Sequence, residues 1–319
     1  MTERRGGKAT AFDSNQAFAA SEYELPTGQK SSELVRAERT VWLLAHVHFA
    51  WDINKALEFA LLQTFAVPSI SGLLDRTGEF SNRTLKRYDD TAILIREVLS
   101  NGLDSDRAQR AFRRINDMHG RFRIANDDFL YVLSTFVFSP IDWLDRFGRR
   151  GLTDEEKEGW FLYWREFGTR MGIAGLPADF GAFRNFANKF EKERFAQAPS
   201  NRAVAQPTID LLLSQYFVPQ IFYPAGRAFV MALCSPRFVG ALGYPPSSSA
   251  LRHFAESAMA LRRRILRLLP ENTRPKYIRF GKQTYPGGYT IEELGAFRLK
   301  RGAEHVEQGA KRCSGPCSS

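Results

Sequence analysis

Two pairs of side chains in this sequence have the types and the spacing needed to bind an anionic, metal-containing ligand. Arg87 and Thr91 stand four residues apart, and so do His119 and Arg123. On an α-helix this spacing places both members of a pair on one face. A neutral imidazole can bind a metal, a guanidinium can neutralise a carboxylate, and a threonine hydroxyl can hydrogen-bond a ligand on the metal. If the chain turns back at residues 101–102 to form an antiparallel helical hairpin, both pairs could face one cavity.

The same four residues also have an ordinary structural interpretation. A histidine such as His119 often ends a helix, where its protonated form interacts favourably with the negative end of the helix dipole. Arginines at positions 87 and 123 would then be surface residues. On spacing alone we favour this structural interpretation over a ligand site.

The remaining histidines do not suggest a metal site. His46 and His48 would point about 200° apart on a helix, and no nearby carboxylate completes a zinc set. His253 lies in a basic helix and His305 in a polar tail, so we expect both at the surface. The sequence contains no HExxH, CxxC, GxxxxGK[ST] or GxSxG motif, and these absences disfavour a zinc site, a P-loop nucleotide site and a serine hydrolase.

The elements that carry these side chains are predicted to be helices. Apolar residues recur at intervals of three to four nearly everywhere, and the alternating pattern of half-buried strands is scarce. We therefore predict an all-α protein with a single large multi-helix domain at 33–280. A loosely ordered arm is expected at 1–32 and an extended basic tail at 281–319.

Several helix ends can be predicted from capping signals. A first pattern runs over 33–67 and stops at Pro68, and a second runs over 84–99 and closes at the turn 101–102. Asp104 or Ser105 can cap the third helix, which should end at His119.

Beyond that helix, Asp127 and Asp128 stand where a cap belongs, ahead of an apolar helix with an expected kink at Pro140. Thr153 and Glu156 have the spacing of a capping box. Further helices are predicted at 178–197, 208–217, 225–233 and 248–269.

Composition limits the classes of function. Hydrophobic residues make up 44% and charged residues 25% of the 319 residues, as in an ordinary globular protein. The net charge of +10 would suit nucleic acid, an anionic membrane surface or an anionic cofactor. No Lys/Arg tract is interleaved with aromatic residues, which makes nucleic acid the least favoured of these. Aromatic residues reach 13%, enough to line an apolar cavity or to fill a core.

The cysteines and the apolar stretches indicate the cellular setting. Three cysteines do not make a disulfide framework, so we expect a reducing, cytoplasmic compartment. No apolar h-region follows the charged N-terminus, and no apolar stretch has the length of a transmembrane helix. Peripheral contact with a membrane stays open.

Four stretches of the chain carry a family resemblance. They are ALLQTFAVPSISGLLDRTGEF, the R-x-x-x-T of Arg87 and Thr91, MHGRFRIANDDFLYVLSTFV, and LTDEEKEGWFLYWREFGTRMGI. In their order and separations, over about 40–180, they resemble the catalytic domain shared by MpaB-type oxygenases and latex-clearing rubber oxygenases. These are all-α proteins that bind haem b, and the likeness is closer to the MpaB-like branch.

The resemblance implies a role for each residue of the two pairs. His119 would be the axial ligand of the haem iron, Arg87 and Thr91 would lie in the haem pocket as catalytic and cofactor-binding residues, and Arg123 would pair with a haem propionate. At Asp90 the rubber-cleaving branch can have a lysine, so a distal lysine ligand is not implied here. That branch also uses a glutamate ahead of the arginine. Glu79 and Asp75 are the nearest acids, and neither is assigned to that role.

Two functional hypotheses follow. In the first, the protein is a haem-dependent oxygenase that uses O₂ to cleave a C=C bond of an apolar substrate, with isoprenoids as a candidate class. In the second, it is a non-catalytic basic helical protein that binds an anionic membrane surface or nucleic acid. The two are compatible, because a peripheral oxygenase could use its positive charge to reach substrates dissolved in a membrane.

Overall fold

The structure is a computed structural model that describes residues 31–278 and 280–295. Within these residues the chain forms thirteen α-helices and no β-strand, so the predicted all-α fold is confirmed. The helices are α1 Ser32–Leu43, α2 Ala50–Thr64, α3 Pro68–Thr77, α4 Glu79–Asn82, α5 Thr84–Asn101, α6 Asp106–His119, α7 Asn126–Phe147, α8 Asp154–Arg170, α9 Phe180–Arg194, α10 Pro199–Gln215, α11 Tyr223–Ala232, α12 Pro236–Ala241 and α13 Ser249–Leu268. Short 3₁₀ turns lie at Gln220–Phe222 and Ile291–Glu293.

The core is organised around α7. This helix packs most extensively against α2, and it also contacts α8 and α9, while α1 lies along α8. Trp160 and Trp164 of α8 are fully buried, and their rings pack against each other at 5.9 Å. Much of the aromatic content therefore fills the core.

Several predicted helix ends are confirmed. Ser105 caps α6, since its hydroxyl accepts a hydrogen bond from the Ala108 N–H at 3.1 Å. Both hydrogen bonds of the capping box between Thr153 and Glu156 are present at the start of α8. α5 ends at Asn101, and Gly102 follows with a φ of +79°, a conformation that glycine adopts easily.

The single helix predicted over 33–67 is wrong, because a π-helical turn at Leu44–His48 separates α1 from α2. One contact of this turn is local and one comes from a distant helix. The ring of His46 lies within hydrogen-bond distance of the Trp42 carbonyl at 3.1 Å and of the Ser100 hydroxyl on α5 at 2.9 Å. A periodic pattern of apolar residues cannot report such a distant partner.

The caps predicted for α7 are also wrong. Ala125 occupies the N-cap position, and Asp127 and Asp128 lie in the first turn, where they still interact favourably with the positive end of the helix. α7 continues through Pro140. α10 begins at Pro199, well before the predicted 208, and α3, α4 and α12 are short helices that the sequence patterns do not predict.

The first part of the predicted tail is packed rather than extended. Residues 281–295 lie against α5 and α6, where Ile291 and Leu294 are buried and the Tyr289 hydroxyl donates to Glu97 at 2.6 Å. The rest of the predicted tail, which contains His305, and nearly all of the predicted N-terminal arm lie outside the described residues.

Among the described helices, none alone has the length and apolar character to cross a bilayer. The pair Ala50–Thr64 and Pro68–Thr77 meets the criteria of length and composition together, with a bend of 96° between the two helices.

Candidate functional site

Three of the four predicted site residues lie on the pair formed by α5 and α6. These two helices pack against each other, with Arg87 and Thr91 in the first half of α5 and His119 at the end of α6. The chain reverses between them at 102–105, so the start of α5 lies near the end of α6. Consistent with this, the positive charge of Arg87 acts on the imidazole of His119.

Arg87 is a desolvated cation. Burial lowers the pKa of its guanidinium, which the charges of Asp90 and Glu79 partly offset. The guanidinium donates a hydrogen bond to the Thr91 hydroxyl, which in turn donates to the Arg87 carbonyl at 3.0 Å. It also lies 5.2 Å from the centre of the Phe80 ring, a distance that favours a cation–π interaction. The predicted pairing of Arg87 with Thr91 on one helical face is therefore present.

His119 carries a neutral imidazole with a buried ring nitrogen. Burial, reinforced by the charge of Arg87, lowers the pKa of its imidazole to about 4. Its Nδ1 atom is buried and has no hydrogen-bond partner. The ring of Phe129 packs edge-on at 5.2 Å. A buried nitrogen without a partner is costly in a folded protein unless something binds it.

Arg123 does not share a helical face with His119. α6 ends at His119, Gly120 is its C-cap, and Arg123 follows in the connection to α7 with an exposed side chain. The predicted one-face spacing is therefore wrong for this pair. A role for Arg123 at a haem propionate stays a prediction.

A cavity of about 100 Å³ adjoins Thr91 on the side of α2. Its wall is mainly apolar and comes from the π-helical turn, α2, α5, α7 and the residues Lys276, Ile278 and Phe280. The apolar residues that line it include Ile53, Leu57, Leu61, Ile95, Phe136 and Phe280. Such a space suits part of an apolar ligand.

One carboxylate lines this apolar wall. Glu58 is only 5% exposed, and its Oε1 accepts hydrogen bonds from Tyr88 at 2.9 Å, Asn54 at 2.7 Å and Lys55 at 2.5 Å. Burial raises the pKa of this carboxyl group. All three bonds end on Oε1.

The end of the cavity near the π-helical turn is held by hydrogen bonds to the C-terminal segment. His46 carries its backbone carbonyl 2.7 Å from the Lys276 N–H, and the guanidinium of Arg96 donates to the Ile278 carbonyl. Burial lowers the pKa of His46 to about 4 and that of Arg96 to about 10. The backbone of His46 and the side chain of Arg96 therefore join the C-terminal segment to the wall of the cavity.

The acidic residues near Arg87 have other partners. Asp90 pairs with Lys86 at 2.7 Å and accepts a hydrogen bond from the Tyr285 hydroxyl. Glu79 forms an ion pair with Arg83. Asp90 thus ties α5 to the C-terminal segment, and no group of three or more His, Cys, Asp or Glu side chains among the described residues has the arrangement of a metal site.

Sequence reasoning missed Glu58, Phe80 and Phe129, and it gave His46 little weight. Glu58 carries a signal that could have been used, since it is an acid on a largely apolar stretch of α2 between Leu57 and Leu61. The two aromatic residues carry none, because aromatics are frequent throughout this chain.

Comparisons with known proteins agree with one another. The family model described as "ER-bound oxygenase mpaB/B'/Rubber oxygenase, catalytic domain" matches residues 55–264. An ER-bound oxygenase mpaB' of Penicillium brevicompactum is 28% identical over 267 residues, covering 77% of this chain and 63% of that protein. An ER-bound oxygenase mpaB of Penicillium roqueforti (strain FM164) is 31% identical over 218 residues, covering 63% of this chain and 72% of that protein.

Proposed function

Because the chain belongs to the family of the ER-bound oxygenase mpaB/B'/rubber oxygenase catalytic domain, we propose that it is a haem-dependent oxygenase acting on an apolar substrate. The proposed reaction is oxidative cleavage of a C=C bond, and the substrate class we favour is an isoprenoid. The observation that carries the haem assignment is the buried, unpartnered Nδ1 of His119 beside the desolvated Arg87.

The residues of the site fit haem b. A histidine with a pKa of about 4 is neutral near pH 7, and a neutral imidazole is the form that binds iron. A haem also carries carboxylates, and a desolvated guanidinium such as that of Arg87 is stabilised by a carboxylate partner. In this proposal His119 holds the iron, and Arg87 faces the anionic side of the group.

Thr91 connects the haem site with the substrate cavity. Its hydroxyl hydrogen-bonds Arg87, and the same residue lines the apolar cavity. In our proposal Thr91 orients the bound molecules by hydrogen bonding, and the apolar wall positions the substrate and excludes water. Bound haem would supply the activation of O₂, for which protein side chains have no equivalent.

Glu58 is the polar group that we assign to substrate orientation. Its carboxyl group lies in the wall of the cavity, so it can form a hydrogen bond with a substrate hydroxyl. Tyr88, Asn54 and Lys55 hold it in place.

The relatives are named ER-bound, and we propose that this protein also works at a membrane as a peripheral protein. The second hypothesis from the sequence, a non-catalytic basic protein, is less favoured because the matched family is one of oxygenases. Nucleic acid is not among the partners we propose, whereas O₂ and an apolar small molecule are.

The visible spectrum of the purified protein tests the haem proposal. We expect a Soret band after expression with a haem precursor, and loss of haem or altered ligation in His119→Ala. His48→Ala is the matched control, because His48 is exposed and its loss should leave the spectrum unchanged. A colourless protein would refute the haem proposal, and an unchanged spectrum in His119→Ala would move the iron ligand to another histidine, with His46 the first to test.

A further inference from the structure

Exposed apolar side chains are concentrated on one part of the surface. Of the twelve large hydrophobic residues that are exposed in the described part of the chain, nine lie in two segments, the loop 216–222 and the helix α13 with its C-cap. We call these nine residues the apolar face. They are Tyr216, Phe217, Ile221, Phe222, Phe254, Leu261, Ile265, Leu268 and Leu269.

α13 has two apolar faces, of which only one is used inside the protein. Ala255 and Met259 are buried against the rest of the fold. Phe254, Leu261 and Leu268 recur at intervals of seven residues on another side of the helix, and they are 57–87% exposed. A helix that only covered a core would need the first face alone.

The loop 216–222 projects its apolar side chains outward. Phe217 is 94% exposed and Ile221 is 81% exposed. Phe217 has a φ of +57°, a left-handed conformation that is unfavourable for a bulky residue. Backbone strain of this kind is often found at functional sites, and here it holds an aromatic ring in solvent.

The loop and α13 are both next to α11. The 3₁₀ turn Gln220–Phe222 leads directly into α11, and Phe229 of α11 contacts Phe254 of α13 with ring centres 6.4 Å apart. The loop therefore adjoins α11, the helix against which α13 packs.

The charge around the apolar face is positive. α13 contains five arginines and a single acid, Glu256, and one of the arginines, Arg262, forms an ion pair with the buried Asp52. Arg252 and Arg264 are exposed, and among the described residues neither forms an ion pair. Basic and apolar side chains that alternate on an exposed amphipathic helix match a helix that lies in the headgroup region of a bilayer.

We propose that the apolar face binds an anionic lipid surface, with the rings of loop 216–222 inserted among the headgroups and α13 lying in the plane of the interface. Charge complementarity favours an anionic lipid surface over a second copy of this chain. Each copy has a net charge of +10, so pairing two copies through this face would bring α13 arginines of like charge together. Exposed aromatic rings at the headgroup level and arginines near lipid phosphates are both favourable there. The inference does not depend on haem or on oxygenase activity.

Vesicle co-sedimentation of the full chain tests this proposal. We expect binding to vesicles of phosphatidylcholine with phosphatidylserine, and weaker binding to phosphatidylcholine alone or at high salt. The exposed-residue variant Phe217→Ser should reduce binding about tenfold or more, and Arg264→Gln about fivefold. Phe122→Ser and Lys189→Gln are matched controls, since these exposed side chains lie outside the apolar face and their loss should leave binding unchanged.

Three outcomes would overturn the proposal. The first is that the wild-type chain does not bind anionic vesicles. The second is that the control variants lose as much vesicle binding as the test variants, and the third is that Phe217→Ser and Arg264→Gln bind vesicles as well as the wild type does. Sedimentation velocity without lipid tests whether the apolar face instead binds a second copy of this chain. A wild-type dimer that becomes monomeric in Phe217→Ser, with vesicle binding unchanged, would assign the face to a second copy. Circular dichroism should be the same for all variants, because the substituted side chains are exposed.

Discussion

Arg87 and His119 lie on different helices, and the charge of the arginine acts on the histidine ring. The pKa of the imidazole falls to about 4, chiefly because it is buried and further because the guanidinium of Arg87 is near. Each effect makes protonation of His119 unfavourable. The pair therefore keeps a neutral imidazole beside a cation at neutral pH.

Removing the charge at position 87 should raise the pKa of His119. In the haem-free variant Arg87→Met, we expect a pKa above that of the wild type but still below about 6.5, because burial remains. An NMR titration of the imidazole measures it. Arg121→Met removes an exposed arginine close in sequence and serves as the control. An unchanged pKa in Arg87→Met would mean that the two side chains are not coupled.

Folding stability should fall in mild acid because of the two buried histidines. His46 and His119 have pKa values of about 4 in the folded protein, against about 6.5 when unfolded. Between these values the unfolded chain binds more protons, so the free energy of unfolding decreases as the pH falls from about 6.5 towards 4. At about pH 5 each of the two histidines should lower the free energy of unfolding by about 2 kcal/mol relative to neutral pH. Glu58 opposes this change, since its pKa is raised in the folded state.

Urea unfolding of the haem-free protein at about pH 7.5 and about pH 5 measures this dependence. His119→Gln should reduce the difference between the two stabilities by about 2 kcal/mol. His48→Gln replaces an exposed side chain and should leave the difference as in the wild type. A pH difference that stays the same in His119→Gln would exclude His119 as a source of the acid sensitivity.

The hydrogen bond between Tyr88 and Glu58 should contribute measurably to stability. The Tyr88 hydroxyl is buried and donates to Oε1 at 2.9 Å. Loss of a hydrogen bond to a buried carboxyl group costs about 2 kcal/mol, and Tyr88→Phe should lower the free energy of unfolding by about that amount. The loss of stability caused by Tyr88→Phe should be smaller when Glu58→Gln is already present. Tyr216→Phe, at an exposed tyrosine, is the control, and a Tyr88→Phe variant as stable as the wild type would show that the bond contributes little.

Filling the cavity should block the substrate without removing haem. Ala92 lines the cavity on α5, and Ala92→Leu adds a side chain that occupies part of the space of about 100 Å³. If the proposed function is right, affinity for an apolar isoprenoid probe should fall at least about tenfold, with an unchanged Soret band. Tryptophan fluorescence titration measures the affinity. Ala182 lies on the exposed side of α9, so the control variant Ala182→Leu should bind the probe as the wild type does. Full affinity for the probe in Ala92→Leu would exclude the cavity as the substrate site.

The sequence alone determined the features that depend on near neighbours. Helical periodicity, the capping box of Thr153 and Glu156, the Ser105 cap and the end of α6 at His119 all follow from residues within about one turn of one another. The common face of Arg87 and Thr91 is of the same kind. These predictions succeeded because the hydrogen bonds that decide them are local.

Tertiary structure decided which polar groups lose their water. Glu58 is desolvated because α5 brings Tyr88 over it, His46 is held by Ser100 on α5, and residues 281–295 pack on α5 and α6 instead of forming a tail. Desolvation depends on which distant segments pack together. The spacing of four within the pairs Arg87–Thr91 and His119–Arg123 could suggest a common cavity only if α5 and α6 formed a hairpin, and it could not show how far Arg87 and His119 would be buried.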